Sequence, residues 1–141
     1  MRSQAPQLRL PAEDSSVPRA RGFTTATLAQ WGIPAADAEL VVAELASNAV
    51  RAAQATDCPL ILIRLVRGPV TVVVEVGDTS SLAPVITPPR ARREHGRGLP
   101  LVIKLADDTG WYAAGTWKIV WAQLPAQPAR AAAPGKRGRA A

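Results

Sequence analysis

Three groups of residues in this chain have types and spacings suited to chemistry. Glu44 and Asn48 stand four apart in the run AADAELVVAELASNAVRAA. On a helix that spacing points both side chains the same way. Their neighbours Val41, Leu45 and Ala49 are apolar, so the polar pair borders a core-facing stripe. A carboxylate beside a carboxamide can hold a hydrated Mg²⁺ or a water and can take a proton. Asp78 follows the apolar run VTVVVEV and Gly77. A carboxylate at a strand end that faces a pocket can accept a hydrogen bond from an exocyclic amine. The third group is His95–Gly96–Arg97–Gly98–Leu99. Its glycines let a backbone approach a ligand closely, a helix that begins there aims free N–H groups at an anion, and Arg97 can add a charged contact to phosphate. Each group also has a plainer reading: the solvated edge of an amphipathic helix, a turn-capping Asp, and a flexible turn before a helix.

The elements that must position these groups can be read along the chain. Leu8–Arg9–Leu10 is a short strand candidate. Ser15 and Ser16 before Pro18 form a helix-entry signature. Val17, Ala20, Thr24, Leu28 and Trp31 continue at helical spacing to Gly32, which can end the helix. Pro34 opens the next segment, with Asp37 and Glu39 in its early turns, where the helix dipole favours negative charge. Val41, Leu45, Asn48, Ala49 and Ala52 make one stripe of that helix. Leu60–Val66 and Val70–Val76 read as strands, and the short link Arg67–Gly68–Pro69 makes them an antiparallel hairpin. Residues 77–96 are polar and proline-bearing, a length that suggests a functional loop. A short helix over Gly98–Ala106 and two closing strands, at Trp111–Tyr112 and Trp117–Leu124, complete the order. This predicts an α+β two-layer sandwich, with helices on one face of a mixed or antiparallel sheet.

Composition narrows the function classes. Apolar residues make up 48% of the 141, a globular balance. No apolar run approaches the roughly 20 residues of a membrane helix, and the N-terminus has no signal-peptide core, so no membrane partner is expected and the expected compartment is cytoplasmic. Cys58 is the single cysteine, which excludes an internal disulfide and a cysteine metal cluster. The net charge is +6, and Arg130, Lys136, Arg137 and Arg139 supply four of it, leaving +2 over residues 1–124. The basicity therefore belongs largely to a tail, 125–141, rich in Ala, Pro and Arg, which is expected to be disordered because it has too little apolar surface to fold alone. Charge alone supports nucleic acid as a partner, and the tail has no aromatic residue for base stacking.

The order of the three groups is more informative than any one of them. A helical E-x-x-x-N, a strand ending in Asp, a long loop, a G-x-G opening a helix and a final strand together resemble the Bergerat-fold ATPases. These include histidine-kinase catalytic domains, gyrase-type ATPases and anti-sigma serine kinases. The stretches VVAELASNAVRAA, VVVEVGDTSS, HGRGLPLVIKLADDTGW and KIVWAQL look most like the small stand-alone anti-sigma-factor kinases of actinobacteria. The resemblance covers about residues 8–124 and implies a domain over 1–124 that binds ATP with Mg²⁺. By it, Asn48 would chelate the Mg²⁺ that bridges the phosphates, and Glu44 would act as general base or orient the attacking group. Asp78 would bind the adenine amine. Gly96, Arg97, Gly98 and Leu99 would form the phosphate loop, with 79–95 as a lid. It further implies serine/threonine phosphoryl transfer to an antagonist protein, direct binding of a sigma factor, and room for a homodimer.

The sequence departs from the family pattern in three places. The loop after the adenine-binding Asp usually reads D-x-G-x-G, and here it is Asp78–Thr79–Ser80–Ser81–Leu82. Ala52 stands where the helix often has His, and Ile119 follows Lys118 where a Thr is common, with Thr116 as a substitute. The departures bear on turnover and on close approach to the base. They leave the alternative of a non-catalytic, ATP-sensing or protein-binding module.

Overall fold

The computed structural model describes residues 5–56, 59–79 and 99–126. The chain opens with strand β1, Gln7–Pro11, and helix α1, Ser16–Gln30. Ser15 stands at the expected cap position but makes no side-chain cap bond. Ser16 is buried, and its hydroxyl donates to the Pro11 carbonyl at 2.6 Å, so Ser16 ties the helix start to β1. At the other end, Gly32 takes φ +71°. Its N–H donates to Ala29 at 3.1 Å and that of Ile33 to Leu28 at 2.9 Å, the paired bonds of a glycine-terminated helix. Leu28 and Ile33 are both buried in the core beneath that turn.

Helix α2, Ala36–Ala55, is anchored to α1 at its acidic first turn. Glu39 accepts hydrogen bonds from Thr25 Oγ1 at 2.7 Å and Arg21 Nη2 at 3.3 Å. The Thr25 bond, then the Arg21 bond, hold its carboxyl below the usual range. The buried stripe of α2 is Ala38, Val41, Val42, Leu45, Ala46, Ala49, Val50 and Ala53. It is wider than the expected one and centred further round the helix, so Asn48 and Ala52 fall at its half-buried margin.

Strands β2, Leu60–Arg67, and β3, Thr71–Asp78, form the antiparallel hairpin, with Leu65 opposite Val74 and Ile61 opposite Asp78. Helix α3, Leu99–Leu105, precedes β4, Asp108–Ala114, and β5, Trp117–Pro125. The sheet runs β1-β2-β3-β5-β4, and every pairing is antiparallel. Thus β5 inserts between β3 and β4, and the sheet is antiparallel throughout rather than mixed.

Period-two alternation sorts the strand residues onto two faces. Leu10, Ile61, Ile63, Leu65, Val72, Val74, Val76, Ala122 and Leu124 share one core with the stripe of α2 and with Val102 of α3. Helix α2 packs on β2, β3 and β5, α1 on β1, and α3 on α2 and β4. The result is the expected α+β two-layer sandwich, with the described helices on one side of the sheet.

Candidate functional site

Val72, Val74 and Val76 point at the helices, so the same alternation turns Asp78, the last residue of β3, towards the helical layer. Asp78 is only 7% exposed. A carboxylate so far withdrawn from water needs polar partners and is costly to keep as mere surface decoration. Register places Lys118 of β5 directly opposite it, on the same face. Thr116, the proposed substitute for a family threonine, lies exposed in the β4–β5 turn beside Gly115, which takes φ +62°. Lys118 therefore holds the position beside Asp78. Sequence reasoning missed this because the pairing register of β3 and β5 is not written in either strand alone.

Glycine precedes Asp78 for a packing reason. A Cβ on Gly77 would come within 2.6 Å of Ile119 Cδ1 and 3.2 Å of the Lys118 carbonyl. The bare backbone lets β5 and the Ile119 side chain lie close against β3 and so fixes where Asp78 ends up.

Glu44 and Asn48 are both half-buried on one flank of α2, next to Val41. This is the same layer that Asp78 faces, and α2 packs on β3. A further residue joins them. Arg51, three positions after Asn48, donates from Nη2 to Asn48 Oδ1. The i, i+3 spacing was visible in the sequence and could have flagged it. The carbonyl oxygen of Asn48, the atom suited to a metal, is therefore held by a guanidinium.

Leu99 is the first residue of α3, and α3 packs on α2. Gly96, Arg97 and Gly98 lie outside the described residues, as do His95, Cys58, most of the expected lid and residues 127–141. Glu44 and Asn48 thus stand on α2 in the helical layer, Asp78 faces that layer from β3 of the sheet, and α2 packs on both β3 and α3.

A cavity of about 220 Å³ lies elsewhere, lined by Trp31, Gly32, Ile33, Arg67, Gly68, Pro69 and Ala126. Arg67 pairs with Val72 at the far end of β3 from Asp78. Six residues of strand, about 20 Å, separate the two ends, so this cavity is not part of the Asp78 site.

The donor set suits a magnesium nucleotide. Among the described residues no group of three or more His, Cys, Asp or Glu could cage a metal alone. Mg²⁺ keeps several waters and is commonly held by one or two protein oxygens together with substrate phosphates, so the Asn48 oxygen with the Glu44 carboxylate nearby would serve once Arg51 releases it. The Asp78 carboxylate has the chemistry to accept a hydrogen bond from an amine.

A family model described as the histidine kinase-like ATPase domain matches residues 10–124. No curated protein matches the chain.

Proposed function

We propose a function on the premise that this chain belongs to the histidine kinase-like ATPase domain family, as the match over residues 10–124 shows: it is an ATP-binding regulatory protein of the anti-sigma-factor serine/threonine kinase type. The observation that carries the ATP site is Asp78, a carboxylate 7% exposed at the end of β3 and turned towards the layer that holds Glu44 and Asn48. In this reading Asp78 accepts a hydrogen bond from the adenine amine. Asn48 would hold a Mg²⁺, which would supply the positive charge that offsets the phosphates, and Glu44 receives the proton of an attacking serine or threonine hydroxyl on an antagonist protein. Phosphoryl transfer depends mainly on positioning, which these residues would supply, and on charge neutralisation, which the bound cation would supply. A sigma factor is the second partner, released when the antagonist's phosphorylation state changes.

The test is isothermal titration with Mg·ATP, paired with a transfer assay. Wild type should bind. Asn48→Ala should weaken binding at least about tenfold, equivalent to about 1.4 kcal/mol. Glu44→Ala should bind ATP with little change and lose transfer. Wild-type protein that binds ATP but phosphorylates no antagonist would end the kinase claim. No heat and no thermal shift at millimolar nucleotide would end the ATP claim as well, because a ligand at a hundred times its Kd should stabilise the fold by about 2.7 kcal/mol.

Two observations favour a second reading, a non-catalytic ATP sensor. Arg51 holds the Asn48 oxygen, and the segment after Asp78 has no glycine. If Arg51 stays in place when nucleotide enters, it supplies the positive charge without a metal and ATP binding would be insensitive to EDTA.

A further inference from the structure

The end of the sandwich opposite Asp78 holds the cavity of about 220 Å³, between the α1–α2 turn and the β2–β3 hairpin. Arg67 is the last residue of β2, and strand alternation turns it to the same side as buried Leu65, towards the helical layer. Its guanidinium stands over the indole of Trp31, 5.5 Å from the ring centroid. Among the described residues the ion pairs join Arg21 to Glu39 and Arg64 to Glu75, so Arg67 is in neither, and its guanidinium has no hydrogen-bond partner. An indole attracts a guanidinium through its π face and leaves the N–H fork unspent. Arg67 is therefore a cation held in place with its donors free.

A free fork matches a carboxylate or a phosphate, and the walls of the cavity decide between them. Arg67 is the one charged residue of the lining, and the side chains of Trp31, Ile33, Pro69 and Ala126 around it are apolar. A phosphate needs several polar donors to replace its water, which this lining lacks. A carboxylate carried next to an apolar group suits it. At about 220 Å³ the cavity is below the roughly 300 Å³ at which pockets for whole small molecules begin, so it takes one inserted side chain.

The walls are tied in place before any ligand arrives. Gly32, at φ +71°, turns the chain from Trp31 to buried Ile33. On the opposite wall the Gly68 N–H donates to the Thr71 carbonyl at 2.7 Å, and the Ala126 N–H donates to the Val70 carbonyl at 2.9 Å. These bonds join the hairpin tip to the end of β5. Val70, next to Pro69, is 55% exposed, the most exposed of the large apolar side chains described. It extends the apolar surface beyond the cavity.

The chain that leaves the cavity sets the charge of the partner. Residues 127–141 continue from the lining residue Ala126 and carry Arg130, Lys136, Arg137 and Arg139 with no acid. Four cations are thus attached to one wall of a site that already presents Arg67. An acidic segment is drawn to that end of the molecule and a basic one is repelled.

We propose that this cavity docks an acidic peptide segment of a partner protein, with one aliphatic or prolyl side chain inserted beside Trp31 and Pro69 and a neighbouring carboxylate on Arg67. The site does not depend on the nucleotide reading, since Arg67 pairs with Val72 at one end of β3 and Asp78 stands at the other.

Fluorescence anisotropy of the full chain tests this, with a fluorescein-labelled peptide in which a Leu–Pro pair is flanked by glutamates. Wild type should bind. Arg67→Glu, at an exposed position, should raise the dissociation constant at least about tenfold. Trp31→Leu should do the same, with circular dichroism reporting whether it is folded. A full-length variant with Arg130, Lys136, Arg137 and Arg139 all changed to Gln should bind about threefold more weakly and with a flatter salt dependence. The proposal is overturned if wild type fails to bind at millimolar peptide, or if Arg67→Glu binds as tightly as wild type. Equal binding of a peptide with Gly–Gly in place of Leu–Pro overturns it too, because only diffuse charge attraction is then at work. Tighter binding by the glutamine variant overturns it in favour of the chain's own residues 127–141 as the occupant. A single-stranded oligonucleotide that binds more tightly than the peptide, and loses affinity with Arg67→Glu, assigns the cavity to nucleic acid instead.

Discussion

The two faces of the sheet are built from alternate residues of the same strands and do different work. Val72, Val74, Val76 and Asp78 point one way from β3, into a layer of helices, and Val73, Glu75 and Gly77 point the other way. Both faces bury a carboxylate. Glu75 finds its partners in the neighbouring strands of its own sheet, a tyrosine hydroxyl and a guanidinium. Asp78 sits at the end of β3 and faces the helical layer, in which α2 carries Glu44 and Asn48. A buried carboxylate therefore does not announce a binding site by itself. What distinguishes the two is that Glu75 is paired within its own sheet, whereas Asp78 faces the layer of helices.

The largest effect should come from mixing the two faces. Val74→Asp places an unpaired charge in the helix-facing core, where Val74 is fully buried. It should cost several kcal/mol, at least about 3, and leave the domain unfolded in urea titrations at concentrations that spare the wild type. The same change one residue earlier, at half-exposed Val73, should leave the fold intact. If both variants unfold alike, the two faces are not energetically distinct.

Asp78→Ala should separate binding from folding. Nucleotide affinity should fall by about tenfold to a hundredfold, about 1.5–3 kcal/mol, the range for a hydrogen bond to a charged group. The melting temperature should move by only a few degrees. Equal ATP affinity in titration calorimetry would remove Asp78 from the site.

The smallest effect belongs to Tyr112→Phe, which removes the hydroxyl bonded to Glu75. Burial, then the hydrogen bond to Glu75 and its negative charge, push the Tyr112 phenol above its ordinary value near 10. A raised acid pKa favours the protonated form in the folded state. Its contribution is therefore present below pH 10 and is lost as pH rises through the folded value. Wild-type stability should decline in that alkaline window, and the variant should lack this part of the decline. At neutral pH it should be less stable by about 1 kcal/mol. ATP affinity should not change, since Tyr112 is on the outer face.

Much of the architecture was legible because its signals are local. The Leu28–Ile33 turn needs a residue at positive φ, and Gly32 is the one that takes it without strain. The hairpin of β2 and β3 follows from two β-branched runs and a three-residue link. The departures came where local signals compete with contacts made far along the chain. Ser15 looked like a cap, but the neighbouring Ser16 hydroxyl bonds to Pro11 because β1 passes beside the helix start. The stripe of α2 was placed too near Asn48 because periodicity counts apolar residues. How far a stripe extends depends on what packs against it, here β2, β3, β5 and α3 together.

By itself the sequence determined the element order, the i, i+4 placement of Glu44 and Asn48, and the acid at the end of β3, since each depends on helix or strand period within a few residues. Only the tertiary structure decided that β5 inserts beside β3, that Lys118 therefore stands opposite Asp78, and that Leu62, Gly77 and Ile119 form an apolar row on the outer face. Strand pairing is a contact between distant segments, and a shift of one residue in register would turn every one of these side chains to the opposite face.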